Sequence, residues 1–397
     1  VAPLQLSAYT LITCLGQGLD ATREALHNER TGLSPCCFET VELDAWIGEV
    51  ADVDAQELPV ALRKYDCRNN RLVQMGLETD GFAQRVGEAV ARHGATRVGV
   101  FLGTSTAGIL QTEQAYRRRD PVSGALPEDF DYQGTHNAFS LAEFTRDYFG
   151  LQGMAMAIST ACSSSAKVFA AAARQLAMGS IDAAIVGGVD SLCLTTLYGF
   201  SSLQLMAADP CRPFDAERKG LSIGEGAAFA LLERVDPSTP SGTVLLLGVG
   251  ESSDAHHMSA PHPHGLGARL AMEAALRSAG LLSDKVDYIN LHGTATPAND
   301  AAEGLAVAAL FGAHVRCNST KGATGHTLGA AGAVEALICA LALSDQRLPG
   351  SPGTRSLDPA IGIRYQMHGG DVPVRHALSN SFGFGGSNCS LVFGLSP

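Results

Sequence analysis

The stretch "STACSSSAKVFAAAARQLAMG", residues 159–179, begins with a cysteine among serines and threonines and runs on as an alanine-rich helix. It follows "MAMAIST" (154–160), a short apolar strand, so strand, tight elbow and helix succeed one another. The elbow sets Cys162 at the mouth of a helix predicted from about Ser163 to Met178. Most buried cysteines pack and stay inert. A thiol at a helix start instead meets unpaired N–H groups and the positive end of the macrodipole. Both favour thiolate, so this reading expects a pKa below that of a free cysteine. The same N–H groups suit an oxyanion formed when a thiol attacks a carbonyl. On this segment alone, packing and nucleophilic chemistry both stand.

Strand–helix alternation extends along the chain. "RVGVFLGTS" (97–105), "AAIVGGVDS" (183–191) and "GAAFALLERV" (226–235) read as apolar strands. Such alternation predicts α/β architecture with parallel sheets covered on both faces. After the linker-like "VDPSTPSG" (235–242) the pattern restarts with "TVLLLGVGESSD" (243–254) and "KVDYINLHGTAT" (285–296). A second elbow, "STKGATGHTLG" (319–329), also follows a strand and opens a small-residue helix. "IGEGAAFALLE" and "FGFGGSNCSLVFG" both read as glycine turn plus closing strand. The expectation is an internal duplication: residues 1–240 form one half with the cysteine elbow, and 241–397 form a second half.

At 397 residues, with 46% apolar and 17% charged residues, the chain has a large core to bury and reads as globular rather than disordered. The net charge of −12 disfavours general nucleic-acid binding. Ten cysteines with no CxxC and no regular framework point to reduced thiols in the cytoplasm, not to a zinc site. The longest apolar run, "LGAAGAVEALICALAL", carries Glu335, and no membrane association is expected. "VAPLQLSAYT" lacks a basic leader, so no signal peptide is expected.

Two of the 12 histidines stand apart from surface residues such as those of "HPHG". His292 follows the strand "VDYIN", and His326 sits in the second elbow. Each alone is most often structural. Ligands of α/β sheets gather outside the carboxyl ends of strands, and a Cys-His-His cluster between two halves accounts for all three residues at once. Lys321, in the same elbow, reads by default as a surface lysine; beside a histidine in a glycine-rich elbow, the alternative is that it raises the local potential and keeps His326 neutral. Glu303 and Glu335 lie on the helices after the His292 and His326 loops; a solvated carboxylate is one reading of each, and one of them buried beside Lys321 would pair with it. "NSFGFGGSN" lacks the Lys-Ser/Thr of a nucleotide loop and precedes a strand. Its glycines instead flank Phe384, an aromatic placed to move at a pocket mouth.

In this order, "STACSSSA", "CRPFDAERKGLSIGEGAAFALLE", "YINLHGTATPANDAAE", "NSTKGATGHTLGAAGAVEA" and "SNSFGFGGSNCSLVFG" resemble the five motifs of the β-ketoacyl-acyl carrier protein synthases, condensing enzymes of the thiolase superfamily. The resemblance spans nearly the whole chain. It implies a thiolase-like fold of two duplicated halves in five αβαβα layers. It implies that Cys162 takes an acyl chain from acyl carrier protein, with the N–H groups of Cys162 and Phe384 as oxyanion hole. His292 and His326 would stabilise the enolate left when malonyl-carrier protein loses carbon dioxide. Lys321 would support His326, with Glu335 as its salt-bridge partner and Glu303 as further support. Thr294 and Thr296 would bind the phosphopantetheine arm, and Phe384 would gate the acyl pocket. No metal or organic cofactor is implied. The loop "GTSTAG" (103–108) departs from the family's more apolar version, and Thr104 and Thr106 are expected to make part of the acyl pocket polar. That departure leaves fatty-acid, polyketide and aryl-polyene substrates open.

The carrier protein of this family is acidic, so an acidic enzyme needs a local basic patch. "LRKYDCRNNR" supplies Arg63, Lys64, Arg68 and Arg71, with Arg117, Arg118 and Arg119 as a second candidate; a solvated helix face is the alternative. A homodimer, or a heterodimer with a related ketosynthase-like subunit, is the implied assembly. Two other readings remain. A degradative thiolase would use a second cysteine, for which Cys389 is the one near the C-terminal motif. A non-condensing chain-length-factor-like subunit usually lacks the nucleophile.

Overall fold

The computed structural model describes residues 2–397. In the first half, the order is β1 (Leu4–Thr13), α1 (Arg68–Glu78), α2 (Phe82–His93), β2 (Val98–Gly103), α3 (Ser140–Tyr148), β3 (Ala155–Ile158), α4 (Ser164–Ala177), β4 (Ala183–Asp190) and β5 (Gly226–Arg234). In the second, it is β6 (Val244–Ser253), α5 (Leu266–Ala279), β7 (Tyr288–Asn290), α6 (Pro297–Phe311), β8 (Arg316–Asn318), α7 (Ala331–Asp345), β9 (His376–Gly383) and β10 (Ser387–Leu395).

The strands run β3-β2-β4-β5-β1 in the first half and β8-β7-β9-β10-β6 in the second. In both, the first three positions pair in parallel and the last two antiparallel. The same pairing pattern thus occurs twice. Its two copies join through β1 and β6, at Leu4↔Leu246 and Gln5↔Leu245. The sheets are mixed, where strand–helix alternation predicts parallel ones. The reason is local in the second half: β9 turns into β10 through only Phe384–Gly386, and so short a link requires antiparallel strands. Strand β1, whose alternating "LQLSAYTLIT" had no place in the sequence reading, completes the first sheet.

Three apolar clusters mark the helical layers. Helices α1, α2 and α3 put Leu72, Phe82 and Phe144 against β2 and β4. Helices α5 and α6 put Met272 and Val307 against β7. Between the two sheets, α4 and α7 bury Phe169, Leu337 and Ile338 with residues of both halves. β2 and β4 are buried along their whole length, which explains their unbroken apolar sequences. α7 is buried from Ala331 to Leu343, the setting of a helix apolar on every side. The helical stretch Leu328–Asp345 has the length and mean hydropathy of a membrane span, but 89% of it is buried inside the fold.

Small residues let α4 and α7 touch at their N-termini. A Cβ on Gly332 would lie 2.6 Å from the Ala166 backbone nitrogen, so the approach requires glycine. Beside it, Ala333 N–H donates to Ser165 Oγ at 2.9 Å. The two elbows are therefore held against each other.

Candidate active site

Each elbow carries a non-glycine residue in left-handed conformation three positions before its helix: Ala161 (φ 52°) before α4 and Leu328 (φ 50°) before α7. This sparsely allowed geometry reverses the chain sharply. Cys162 follows the left-handed residue directly, whereas His326 precedes its counterpart by two. The elbows correspond in backbone, and their side chains approach from opposite sides.

Cys162 Sγ lies 3.0 Å from His326 Nε2 and shares a hydrogen with it. The His292 and His326 rings meet edge-on, with centroids 5.3 Å apart. All three residues are buried and line a cavity of about 230 Å³ with Thr294, Thr296 and Phe384. Their donor atoms fall within 4.8 Å of one another, and cysteine with two histidines is also a set that binds zinc.

Burial pushes the Cys162 thiol up to about 12, against the lowering influence of Lys321 and of the Phe384 backbone N–H. The lowered pKa expected from the helix start is thus overturned. The thiol is out of water, and the local turn already engages nearby donors: Ser163 N–H reaches Thr160 C=O and Ser164 N–H reaches Ala161 C=O. Both histidines are held well below the ordinary imidazole range, first by burial, then by the Lys321 charge, and for His292 also by His326. Both imidazoles are therefore held in the neutral form, as the sequence reading expected of His326 beside Lys321.

Lys321 donates to the His292 carbonyl at 2.5 Å and pairs with Glu335 Oε1. Burial raises the Glu335 carboxyl to about 7 while Lys321 opposes the rise. Glu303 fixes the other loop, accepting from His292 N–H and Gly293 N–H, both at 2.8 Å, and from Asn380 Nδ2 at 3.1 Å. Its carboxyl is likewise pushed up to about 7 by burial. Thr294 and Thr296 share a 2.9 Å hydroxyl hydrogen bond at the cavity wall. Phe384 stacks on Phe200 at 5.6 Å. Gly383 before it is packed so tightly that a Cβ would lie 2.7 Å from Thr160 C=O and 3.3 Å from Cys162 N. This close approach brings the Phe384 and Cys162 backbone segments together around the thiol.

Two expectations fail. Thr104 and Thr106 do not line the cavity: their hydroxyls donate to Asp190 Oδ1 at 2.6 and 2.9 Å, turning both side chains inward. Arg68 does not face solvent either. It is 2% exposed and forks onto Glu225 at 2.6 and 3.0 Å, with Asp54 and Glu49 as outer partners. Arg71 is paired with Asp66. Arg63 and Lys64 remain exposed, and with Arg118 they line a shallow surface depression. Cys389 is buried in β10 away from the cavity, where Cys162 is the one cysteine.

Asp190, which no motif in the sequence singled out, supports the site from beneath. Fully buried at the end of β4, it accepts from Thr104, Thr106 and Ser105 and from the Ser105 and Thr106 N–H groups. It also accepts from Gly329 N–H at 2.5 Å, three residues beyond His326. It thereby pins the histidine elbow of one half to the sheet of the other. The available signal was a single acid closing the apolar run "AAIVGGVD".

A buried thiol beside two histidines and a buried lysine, where the two copies of one strand pattern meet, point to a condensing enzyme of thiolase-like fold. The sequence models "Beta-ketoacyl synthase, N-terminal domain" and "Beta-ketoacyl synthase, C-terminal domain" match residues 13–238 and 244–355. The chain belongs to the β-ketoacyl synthase family, whose members are acyltransferases. It is similar to 3-oxoacyl-[acyl-carrier-protein] synthase 2 of Vibrio cholerae, with 34% identity over 96% of each chain. It is also similar to Nodulation protein E of Rhizobium meliloti, with 36% identity over 75% of this chain and 76% of that one. Among solved structures, a ketosynthase in complex with its chain length factor from Xenorhabdus doucetiae superposes with a TM-score of 0.89. The two are 36% identical, with 100% of this chain and 98% of that chain covered.

Proposed function

We propose that this chain takes an acyl group from acyl carrier protein onto Cys162 and condenses it with malonyl-carrier protein, releasing carbon dioxide. The observation that carries this reading is the 3.0 Å contact between Cys162 Sγ and His326 Nε2, with His292 beside them on one cavity wall. The thiol loses its proton as sulfur attacks the acyl thioester; the pantetheine thiolate leaves and is protonated. The N–H groups of Cys162 and Phe384 serve the oxyanion. His292 and His326 then donate to the malonyl thioester oxygen. As the carboxylate departs as carbon dioxide, its bonding pair becomes the enolate, whose carbon attacks acyl-Cys162 and expels the thiolate. Enolate stabilisation by hydrogen bonds is sufficient, so no metal or organic cofactor takes part. Thr294 and Thr296 hold the pantetheine arm from the cavity wall.

The working form is a dimer in the cytoplasm, with a related ketosynthase-like subunit as the favoured partner. Support comes from β3: it ends the sheet, its four apolar residues are only half-buried, and Met154 before it is exposed. Such an edge invites a covering chain. The likeness to the ketosynthase of a chain-length-factor complex favours the same choice. Arg63, Lys64 and the exposed run Arg117–Arg119 are the docking residues that remain for an acidic carrier protein, with Lys64, Arg117 and Arg118 each facing one acid, Asp147, Glu39 and Asp129.

Incubation with acyl-carrier protein, followed by peptide mass spectrometry, is expected to place the acyl group on Cys162, and Cys162→Ala to take none. Condensation should require malonyl-carrier protein and fail with acetyl-CoA alone. Full condensing activity in Cys162→Ala overturns the mechanism.

A further inference from the structure

Glu113 has no part in the site described above, yet three hydrogen bonds reach its carboxylate from the start of one short helix. Oε2 accepts from Leu194 N–H at 3.0 Å, and Oε1 accepts from Thr195 N–H at 2.6 Å and from the Thr195 hydroxyl. These groups open the helix Leu194–Ser202, whose own N-cap, Cys193, makes no side-chain capping bond. A helix start carries unpaired N–H groups and partial positive charge, so a carboxylate supplied from elsewhere holds it well. Glu113 belongs to another helix, Ile109–Arg117, and the contact joins positions 81 apart in the chain.

The tethered helix carries Phe200, which stacks on Phe384 at 5.6 Å and lines the catalytic cavity with it. We propose that Glu113 is a positioning residue for acyl selection: by fixing the helix start it holds Phe200 against Phe384, and so limits the length of acyl chain that Cys162 accepts. The cavity is small, about 230 Å³, where pockets for larger ligands run from about 300 to 1,000 Å³. Behind it lies an apolar cluster that includes Leu110, Leu197, Ile223 and Leu328. Leu221 belongs to both cavity and cluster, and Phe200 lines the first while packing against the second. A longer acyl chain has this cluster to enter, and the Phe200–Phe384 stack stands before it.

Little else holds this helix. Leu197 is its one buried residue, and its remaining anchors are the Phe200–Phe384 stack and Tyr198, whose hydroxyl accepts from Glu42 N–H at 3.2 Å. Sparsely buried segments open most readily, so the tether matters here. Its base, by contrast, is fixed. The helix Ile109–Arg117 starts from the loop "GTSTAG" (103–108), in which the hydroxyls of Thr104, Ser105 and Thr106 are bound to Asp190. Ile109 N–H donates to Thr106 C=O at 3.1 Å. The two threonines that do not line the cavity thus act on it at one remove, by fixing the base from which Glu113 reaches the Phe200 helix. The effect on acyl selection rests on the condensing function proposed above; the tether itself does not.

Two measurements on the full-length chain test this. Loss of a helix cap shifts a local equilibrium about 2–30-fold. In hydrogen–deuterium exchange, peptides covering 194–203 should therefore exchange at least about twofold faster in Glu113→Ala, with those of the His326 elbow, 319–329, unchanged. Acylation of Cys162 is then followed by mass spectrometry in a mixture of butyryl- and dodecanoyl-carrier protein. Glu113→Ala should raise the dodecanoyl-to-butyryl ratio of acylation rates by at least about threefold. Glu113→Gln keeps the size and one acceptor oxygen; it should move both readouts the same way by less, and supplies them if the alanine variant fails to fold. Unchanged exchange at 194–203 overturns the tether. Faster exchange there with an unchanged acyl ratio assigns Glu113 a structural role alone and overturns the positioning role. If the unsubstituted protein takes neither acyl group, the condensing reading falls and acyl selection with it, while the exchange rates still decide the tether.

Discussion

Arg68 separates the two roles that its surroundings offer. The sequence places it in a basic run suited to docking; the structure buries it against Glu225, which is fully enclosed, with N···O distances of 2.6 and 3.0 Å. Glu225 also accepts from Val50 N–H and Leu192 N–H, both at 2.9 Å, and so joins α1 to the strands. Arg68→Ala removes the guanidinium and leaves a buried carboxylate without its cation, a loss of about 3–5 kcal/mol. The unfolding entropy of a chain this long is about 0.8 kcal/mol/K, so the melting temperature should fall by about 4–6 °C. Differential scanning calorimetry measures the fall. Arg68→Met combined with Glu225→Gln should recover part of it, because no charge is then left unpaired. Steady-state kinetics with carrier-bound substrate should show KM raised more by charge reversal at Arg63 and Lys64 than by Arg68→Ala. An unchanged melting temperature with a raised KM in Arg68→Ala would refute the structural assignment and return this residue to the docking surface.

Three further perturbations probe the site. Lys321→Met removes a positive charge that holds His292 and His326 below their ordinary range, so both pKa values should rise and the acid limb of the kcat–pH profile should move to higher pH; an unmoved limb refutes the coupling. With its thiol pushed up to about 12, Cys162 should react with iodoacetamide about tenfold faster per pH unit between about pH 7 and 9, followed on the Cys162 peptide by mass spectrometry; a plateau below pH 8 indicates a preformed thiolate and refutes the resting state described. Asp190→Asn keeps the shape but turns one acceptor into a donor facing other donors, a cost of about 1–3 kcal/mol. Its kcat should fall with little change in KM as the Gly329 tether loosens the His326 elbow, and an unaltered kcat and melting temperature count against a positioning role.

The parts of the fold legible in sequence were those with one dominant local cause. Doubly buried strands such as β2 and β4 announced themselves as apolar runs, and the Cys162 elbow by small polar residues between strand and helix. The misreadings arose where a distant partner decides. "LRKYDCRNNR" looks like a solvated basic face until Glu225, 157 positions away in sequence, is known to sit beneath Arg68. Thr104 and Thr106 look like pocket residues until Asp190 claims their hydroxyls. The Cys162 thiol failed differently: the helix terminus was identified, but a local electrostatic rule says nothing about depth, and desolvation outweighs it here.

That outcome changes what the duplicated halves accomplish. In the reaction proposed above, a thiol kept protonated by burial needs a proton acceptor within reach at the moment of attack, and the imidazole 3.0 Å from it belongs to the other half. Neither elbow is therefore complete. The first supplies a thiol that burial holds protonated, and the second a histidine that burial and Lys321 hold neutral. The contacts that fix this distance lie outside the reacting atoms: Gly332 against Ala166, Ala333 N–H on Ser165 Oγ, and Gly329 N–H on Asp190. All three cross between the halves, so the elbow-to-elbow spacing is set by packing small residues at two helix starts. Catalytic geometry and the stability of the central helical layer consequently depend on the same few contacts, and enlarging any of these small residues perturbs both together.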